Sequence, residues 1–165
     1  LLLDLIEEFY EELLATLGRI AQQAPAKRDK LQALIRAHVN LHQEMPWHFR
    51  LVERDSGCLN EEQQQRVRQL REQYERKLLL ILGSRSRFSE QGRPAAGHAI
   101  AALLNSAPSW PAQHPLDEPE RDELVESLVR GAIERVLAPR RAPEAISLAP
   151  SIEKTSKNTQ PPAAF

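Results

Sequence analysis

The sequence predicts an all-α protein, an antiparallel bundle of about six helices. Three observations carry that reading. Apolar residues recur at three- and four-residue spacing through most of the chain, the period of a helix with one buried face. No stretch alternates apolar and polar positions with β-branched residues, so no strand is assigned. Prolines and glycines punctuate the periodic stretches: of twelve prolines, four lie in 108–119 and five in 139–165.

The first helix is expected from about Leu1 to about Ala21. Ile6, Phe9, Leu13 and Leu17 form its stripe, while Asp4, Glu7, Glu8, Glu11 and Glu12 mark a solvated side. The second is expected from Pro25 to Met45, with Asp29 or Pro25 serving its start. Leu31, Leu34, Ile35, Leu41 and Met45 define one arc, and His38 and His42 fall in its middle. Pro46 breaks the pattern, and a short helix with Trp47, Phe49, Leu51 and Val52 follows through about Asp55. Asn60 then caps the clearest helix, with Gln63 three residues on. Its stripe of Val67, Leu70, Tyr74, Leu78 and Ile81 runs to Leu82 and is stopped by Gly83.

Residues 84–92 form a polar loop. Pro94 suits a first helical position, opening a helix over 94–107 rich in alanine. One of its faces carries Ile100, Leu103, Leu104 and Ala107, and the other His98, Ala101, Ala102 and Asn105. A proline-broken loop over 106–117 carries Trp110 and His114. Pro119 opens the last helix, 119–137. Its Leu124, Val125, Leu128, Val129, Ala132, Ile133, Val136 and Leu137 are broader than a single seam and suit both a core and a partner. The expected division is therefore a helical domain over 1–137 and a disordered, proline-rich tail over 138–165.

Composition narrows function by exclusion. At 165 residues and 41% hydrophobic, the chain has material for one domain with a core. Lys and Arg total 22 against 23 Asp and Glu, so no net field draws it to DNA or an anionic membrane. The single cysteine, Cys58, provides neither a disulfide framework nor a cysteine zinc finger. Acids at positions 4, 7 and 8 are unlike a secretory leader. The stretch 94–116 lacks charge, but Pro108, Pro111 and Pro115 break it, so it is not a membrane span. A cytoplasmic domain with no membrane partner is expected. Because Leu1 already lies inside a helical pattern, the chain is expected to be a piece of something longer.

No catalytic set is found. Cys58 stands in no nucleophile motif, no Ser lies in G-x-S-x-G, and the glycines never cluster into a phosphate loop. No enzyme activity and no cofactor are assigned. His38 and His42 have the i, i+4 spacing that lets two imidazoles share a metal, but Val39 occupies the glutamate position of H-E-x-x-H and no carboxylate shares the arc. No metal site is assigned, and a role lining a ligand pocket is preferred. Arg71 and Tyr74 lie on or beside the buried stripe. A buried guanidinium needs a partner, either an effector carboxylate or phosphate, or Glu75 at i+4. Trp47 and Trp110, at helix ends, suit a cavity mouth. His98 and Asn105 lie on the polar face of their helix. The candidate ligand-binding residues are thus His38, His42, Trp47, Arg71, Tyr74, His98, Asn105 and Trp110.

The order of four strings resembles the C-terminal regulatory domain of the TetR family of bacterial transcription regulators. They are HVNLHQEMPWHFRLVERD (38–55), LNEEQQQRVRQLREQYERKLLLIL (59–82), AIAALLNSAPSW (99–110) and DELVESLVRGAIERVL (122–137). The resemblance covers about residues 1–137. It implies a homodimer formed through a four-helix bundle of the last two helices, with Ile100, Leu103, Leu104, Leu124, Val125, Leu128, Val129 and Ile133 at the interface. It also implies a pocket for a small hydrophobic or amphipathic effector, and a repressor that meets operator DNA only through an N-terminal helix-turn-helix. These residues contain no counterpart of that segment. Two rival readings are a helical interaction module without a ligand and a His-coordinated metal-binding protein.

Overall fold

The computed structural model describes residues 1–23, 26–83 and 88–139. Among them are six α-helices and no strand: α1 (Leu2–Gln23), α2 (Lys27–Glu44), α3 (Pro46–Arg50), α4 (Glu61–Leu82), α5 (Gly92–Ser106) and α6 (Glu118–Leu137). Helix α4 lies between α1 and α5, while α2 packs across α1, α4 and α6. The core sits where these faces meet. Leu13, Leu17, Leu34, Leu78, Leu104 and Ile133 are each at most 1% exposed there. Phe9 meets Phe49 edge to face at 4.7 Å, pinning α3 onto α1.

The helix ends follow local chemistry. At α4 both halves of the capping box form. Gln63 N–H donates to the Asn60 side chain at 2.9 Å, and Asn60 N–H donates to the Gln63 side chain at 3.1 Å. Gly83 ends the helix at φ 64°, a left-handed conformation that glycine adopts without a Cβ clash. Lys27 then donates to the Gly83 carbonyl at 2.9 Å, tying the start of α2 to the end of α4. Asp117 caps α6 by accepting from Glu120 N–H at 2.9 Å.

Several boundaries differ from the sequence expectation. Helix α2 starts after Ala26 without any side-chain cap. Asp29 lies inside its first turn, where a carboxylate complements the helix dipole. Pro25 lies outside the described residues. Helix α5 begins at Gly92, so Pro94 occupies its third position, still within the first turn, where a missing N–H costs nothing. The short helix at 46–55 is α3 followed by a π-helical turn, Leu51–Asp55. Ala107–Gln113, expected as loop, winds as a 3₁₀ segment holding Pro108 and Pro111. Of the expected tail, 140–165 lies outside the described residues.

Candidate functional site

Helix α4 carries two stripes. Val67, Leu70, Tyr74, Leu78 and Ile81 point into the core. The next set round, Arg68, Arg71, Glu72, Glu75, Arg76 and Leu79, has the same helical spacing and lines the flank toward α5. The sequence-predicted ligand residues divide between these two environments.

In the core, His38 and Tyr74 meet. The Nδ1–H of His38 donates to the Leu34 carbonyl at 2.7 Å, which makes Nε2 the acceptor for the Tyr74 hydroxyl at 2.6 Å. Both side chains are fully enclosed, at 1% and 0% exposure. Burial is the main reason the His38 pKa drops to about 4, with the neighbouring His42 pushing the same way. Burial likewise pushes the Tyr74 phenol up, and Tyr10 beside it to about 12. Two neutral groups thus satisfy each other, and His38 has no ring lone pair left for a metal or a ligand.

His42 serves a different partner. Its Nε2–H donates to the main-chain carbonyl of Asn105. The local sequence explains why that carbonyl is free: Pro108, three residues on, has no N–H for the 3₁₀ segment. The ring stacks on Phe49 at 3.7 Å, and burial lowers its pKa. The Asn105 side-chain oxygen is buried without a hydrogen-bond partner. His42 therefore bridges α2 to the end of α5. Among the described residues no group of three or more His, Cys, Asp or Glu could hold a metal.

On the flank, α4 and α5 diverge around a groove of about 940 Å³. Gly97 is the point of closest approach: a Cβ there would stand 2.9 Å from the Leu79 Cδ1. His98 Nδ1 pairs with the buried Glu75 carboxylate at 2.8 Å across the groove. Arg71 is half-buried and makes no ion pair or hydrogen bond among the described residues, and its i+4 acid, Glu75, pairs instead with His98. Arg71 and His98 thus converge. Trp47 and Trp110 join neither group. Trp47 is 69% exposed with Arg50 stacked over it at 5.1 Å, and Trp110 lies at the surface near α6. The expected single pocket is corrected to a filled polar seam in the core and a separate groove outside it. Sequence reasoning weighed Glu75 only as a partner for Arg71 and missed Arg93. The charged stripe at helical spacing on α4 was the available signal.

The expected interface also divides. Ile100, Leu104, Val125, Val129 and Ile133 are buried in the chain's own core, and Leu103 is half-buried. Only Leu124 and Leu128 of that set are open, at 44% and 52% exposure. Beside them on the surface lie Gly131 and Ala132, with Ala99 and Ala102 exposed on α5. The doubled stripe of α6 spans two faces roughly 100° apart, since each residue advances the helix by that angle. One face is covered by α2, and on the other Leu124 and Leu128 are about half-exposed beside Trp110 and the 3₁₀ segment. Ala101, expected on the polar face of α5, is buried with Ile100 and Leu104.

The family described as Tetracyclin repressor-like, C-terminal domain matches residues 24–114, more than half of the sequence, and the chain belongs to that family. It is a ligand-binding and dimerisation type of domain from a TetR-like transcription regulator. Domains of this family commonly dimerise and bind small effectors. Neither the curated proteins nor the solved structures give a match. No helix among the described residues is long and apolar enough to cross a membrane.

Proposed function

We propose that the chain senses a small hydrophobic or amphipathic effector and, as a cytoplasmic homodimer, transmits occupancy to a DNA-binding helix-turn-helix, acting as a repressor. One observation carries this reading: α5 is common to both tasks. Its first turns wall the groove against α4 through Pro94, Ala95 and His98. Its Ala99 and Ala102 are exposed, as are Leu124 and Leu128 on α6, the helix packed against it. A ligand that moves α5 against α4 therefore acts directly on the surface available to a second copy. Small side chains let that copy approach closely, as a four-helix arrangement about a twofold requires.

Analytical ultracentrifugation tests the dimer. The chain should sediment at twice its monomer mass, and Leu124→Glu with Leu128→Glu should return it to monomer while circular dichroism stays helical. A wild-type chain that remains monomeric at micromolar concentration refutes the dimer half of the reading. A screen of apolar acids, bases and neutral compounds by thermal shift tests sensing. A second reading, an interaction module without a ligand, is favoured by the satisfied His38–Tyr74 pair, which leaves no free polar group where an interior ligand was expected. It predicts the dimer and no thermal shift with any compound.

A further inference from the structure

We propose that the groove between α4 and α5 binds an amphipathic carboxylate, its head on Arg71 and Arg93 and its apolar tail on Leu79, Leu80 and Pro94. This rests on the sensing reading above and names the ligand class and its place, on the outer flank of α4 rather than in the core.

Charge pairing sets the sign. Within the groove, Glu72 is taken by Arg76 at 3.6 Å and Glu75 by His98 at 2.8 Å. Arg68 donates to the neutral amide of Gln65. That leaves Arg68, Arg71 and Arg93 without an ion pair among the described residues, and of these only Arg68 has a hydrogen-bond partner, while Glu90 is the one groove carboxylate outside the two pairs. Arg71 is the decisive one. A half-buried guanidinium loses hydration that no ion pair or hydrogen bond restores here, although Arg71 lies within electrostatic reach of Tyr10. Its planar donors suit a carboxylate in bidentate fashion.

The other end of the groove sets the tail. Leu80 is 79% exposed on a helix whose apolar residues are otherwise largely turned inward, and Leu79 beside it is half-buried against Gly97. Arg71 and Leu79 are two turns apart on one stripe, roughly 12 Å along the axis. A ligand charged at one end and apolar over that length would satisfy both ends together. The volume of about 940 Å³ falls at the upper end of the range of small-molecule sites. The Glu75–His98 pair lies in the same groove lining, between the two ends.

Isothermal titration of the full chain with decanoate tests this, with acetate and decyltrimethylammonium as controls for tail and charge. Decanoate should bind and both controls should not. Arg71→Gln should weaken binding tenfold or more, as should Arg93→Gln, which is exposed and leaves folding intact. Leu80→Glu should weaken it as well. Tyr74→Phe should leave the affinity unchanged. The proposal is overturned if decanoate fails to bind, or if its affinity is indifferent to Arg71 and Arg93. Affinity lost on Tyr74→Phe but retained on Arg71→Gln also overturns it by placing the ligand in the core, an outcome that leaves the sensing reading standing. The dimer measurement is independent of all of these.

Discussion

Replacing His38 by Gln should remove a large part of the acid sensitivity of this fold. His38 is buried, neutral and doubly hydrogen-bonded, and its pKa falls from 6.5 in the unfolded chain to about 4 in the folded one. A depressed folded pKa means that the unfolded state binds more protons between those two values. Stability is therefore complete above about pH 6.5 and is lost as the pH falls toward 4. A shift of this size corresponds to a full loss of about 3 kcal/mol, of which about 2 kcal/mol is gone by pH 5. Gln keeps an acceptor for Tyr74 and a donor for Leu34 but does not titrate. Urea unfolding of wild type and His38→Gln across pH 4–7.5 reads the difference directly. Contributions from the surface acids largely cancel in that difference, while His42, which is coupled to His38, cancels only in part. Wild type should lead at neutral pH, with the gap closing or reversing by pH 5. Parallel curves for the two proteins would refute a buried neutral imidazole at this position.

Tyr74→Phe removes the hydroxyl that satisfies His38 Nε2 and should cost about 1–3 kcal/mol in urea unfolding at pH 7; combined with His38→Leu it should be much less than additive. Asn60→Ala removes one arm of the α4 capping box and should cost about 1 kcal/mol, read as a fall in melting temperature of roughly 2–4 °C for a chain of this size. Gly97→Val should separate α4 from α5, because even a Cβ meets Leu79 at 2.9 Å. Its expected cost of about 1–3 kcal/mol would be visible in thermal melts, and NMR shifts should concentrate at Leu79, Glu75 and His98.

Periodicity made the six helices legible because each buries one apolar stripe. Cap chemistry fixed the start of α4 to the residue through Asn60 and Gln63. The interface was less legible for a physical reason: eight apolar positions on α6 identify two faces but not which one α2 will cover. Val125, Val129 and Ile133 went inward, leaving Leu124 and Leu128 bare. The candidate site was only partly legible for a similar reason. Helical spacing placed His38 and Tyr74 in the interior correctly, but it could not indicate that each would be the other's hydrogen-bond partner across 36 positions of sequence. Nor could it show that Pro108 frees the Asn105 carbonyl for His42. Size drew both tryptophans to a cavity; Trp47 instead lies at the surface, while Trp110 borders a separate groove with Leu124 and Leu128.

The contrast between core and flank bears on how such a domain could switch. The seam of His38, Tyr74, His42 and the Asn105 carbonyl is largely hydrogen-bonded within itself, so displacing it leaves buried polar groups unpaired at about 1–3 kcal/mol each. That is as large as the whole coupling free energy of a typical allosteric ligand, about 1–3 kcal/mol. A ligand that had to open this seam would spend its differential affinity there. The α4–α5 flank asks for less. Its polar cross-link is the Glu75–His98 pair, whose histidine is 59% exposed, beside the apolar packing of α5 on α4. A ligand seated on Arg71 can bias α5 without breaking the seam, and His42 then supplies the pivot, because it holds the C-terminal end of α5 to α2 while the N-terminal turns move. On the proposed reading, the core is the rigid part of the sensor and the flank is the part that responds. This places the switch at the helix that also carries Ala99 and Ala102 toward a second copy.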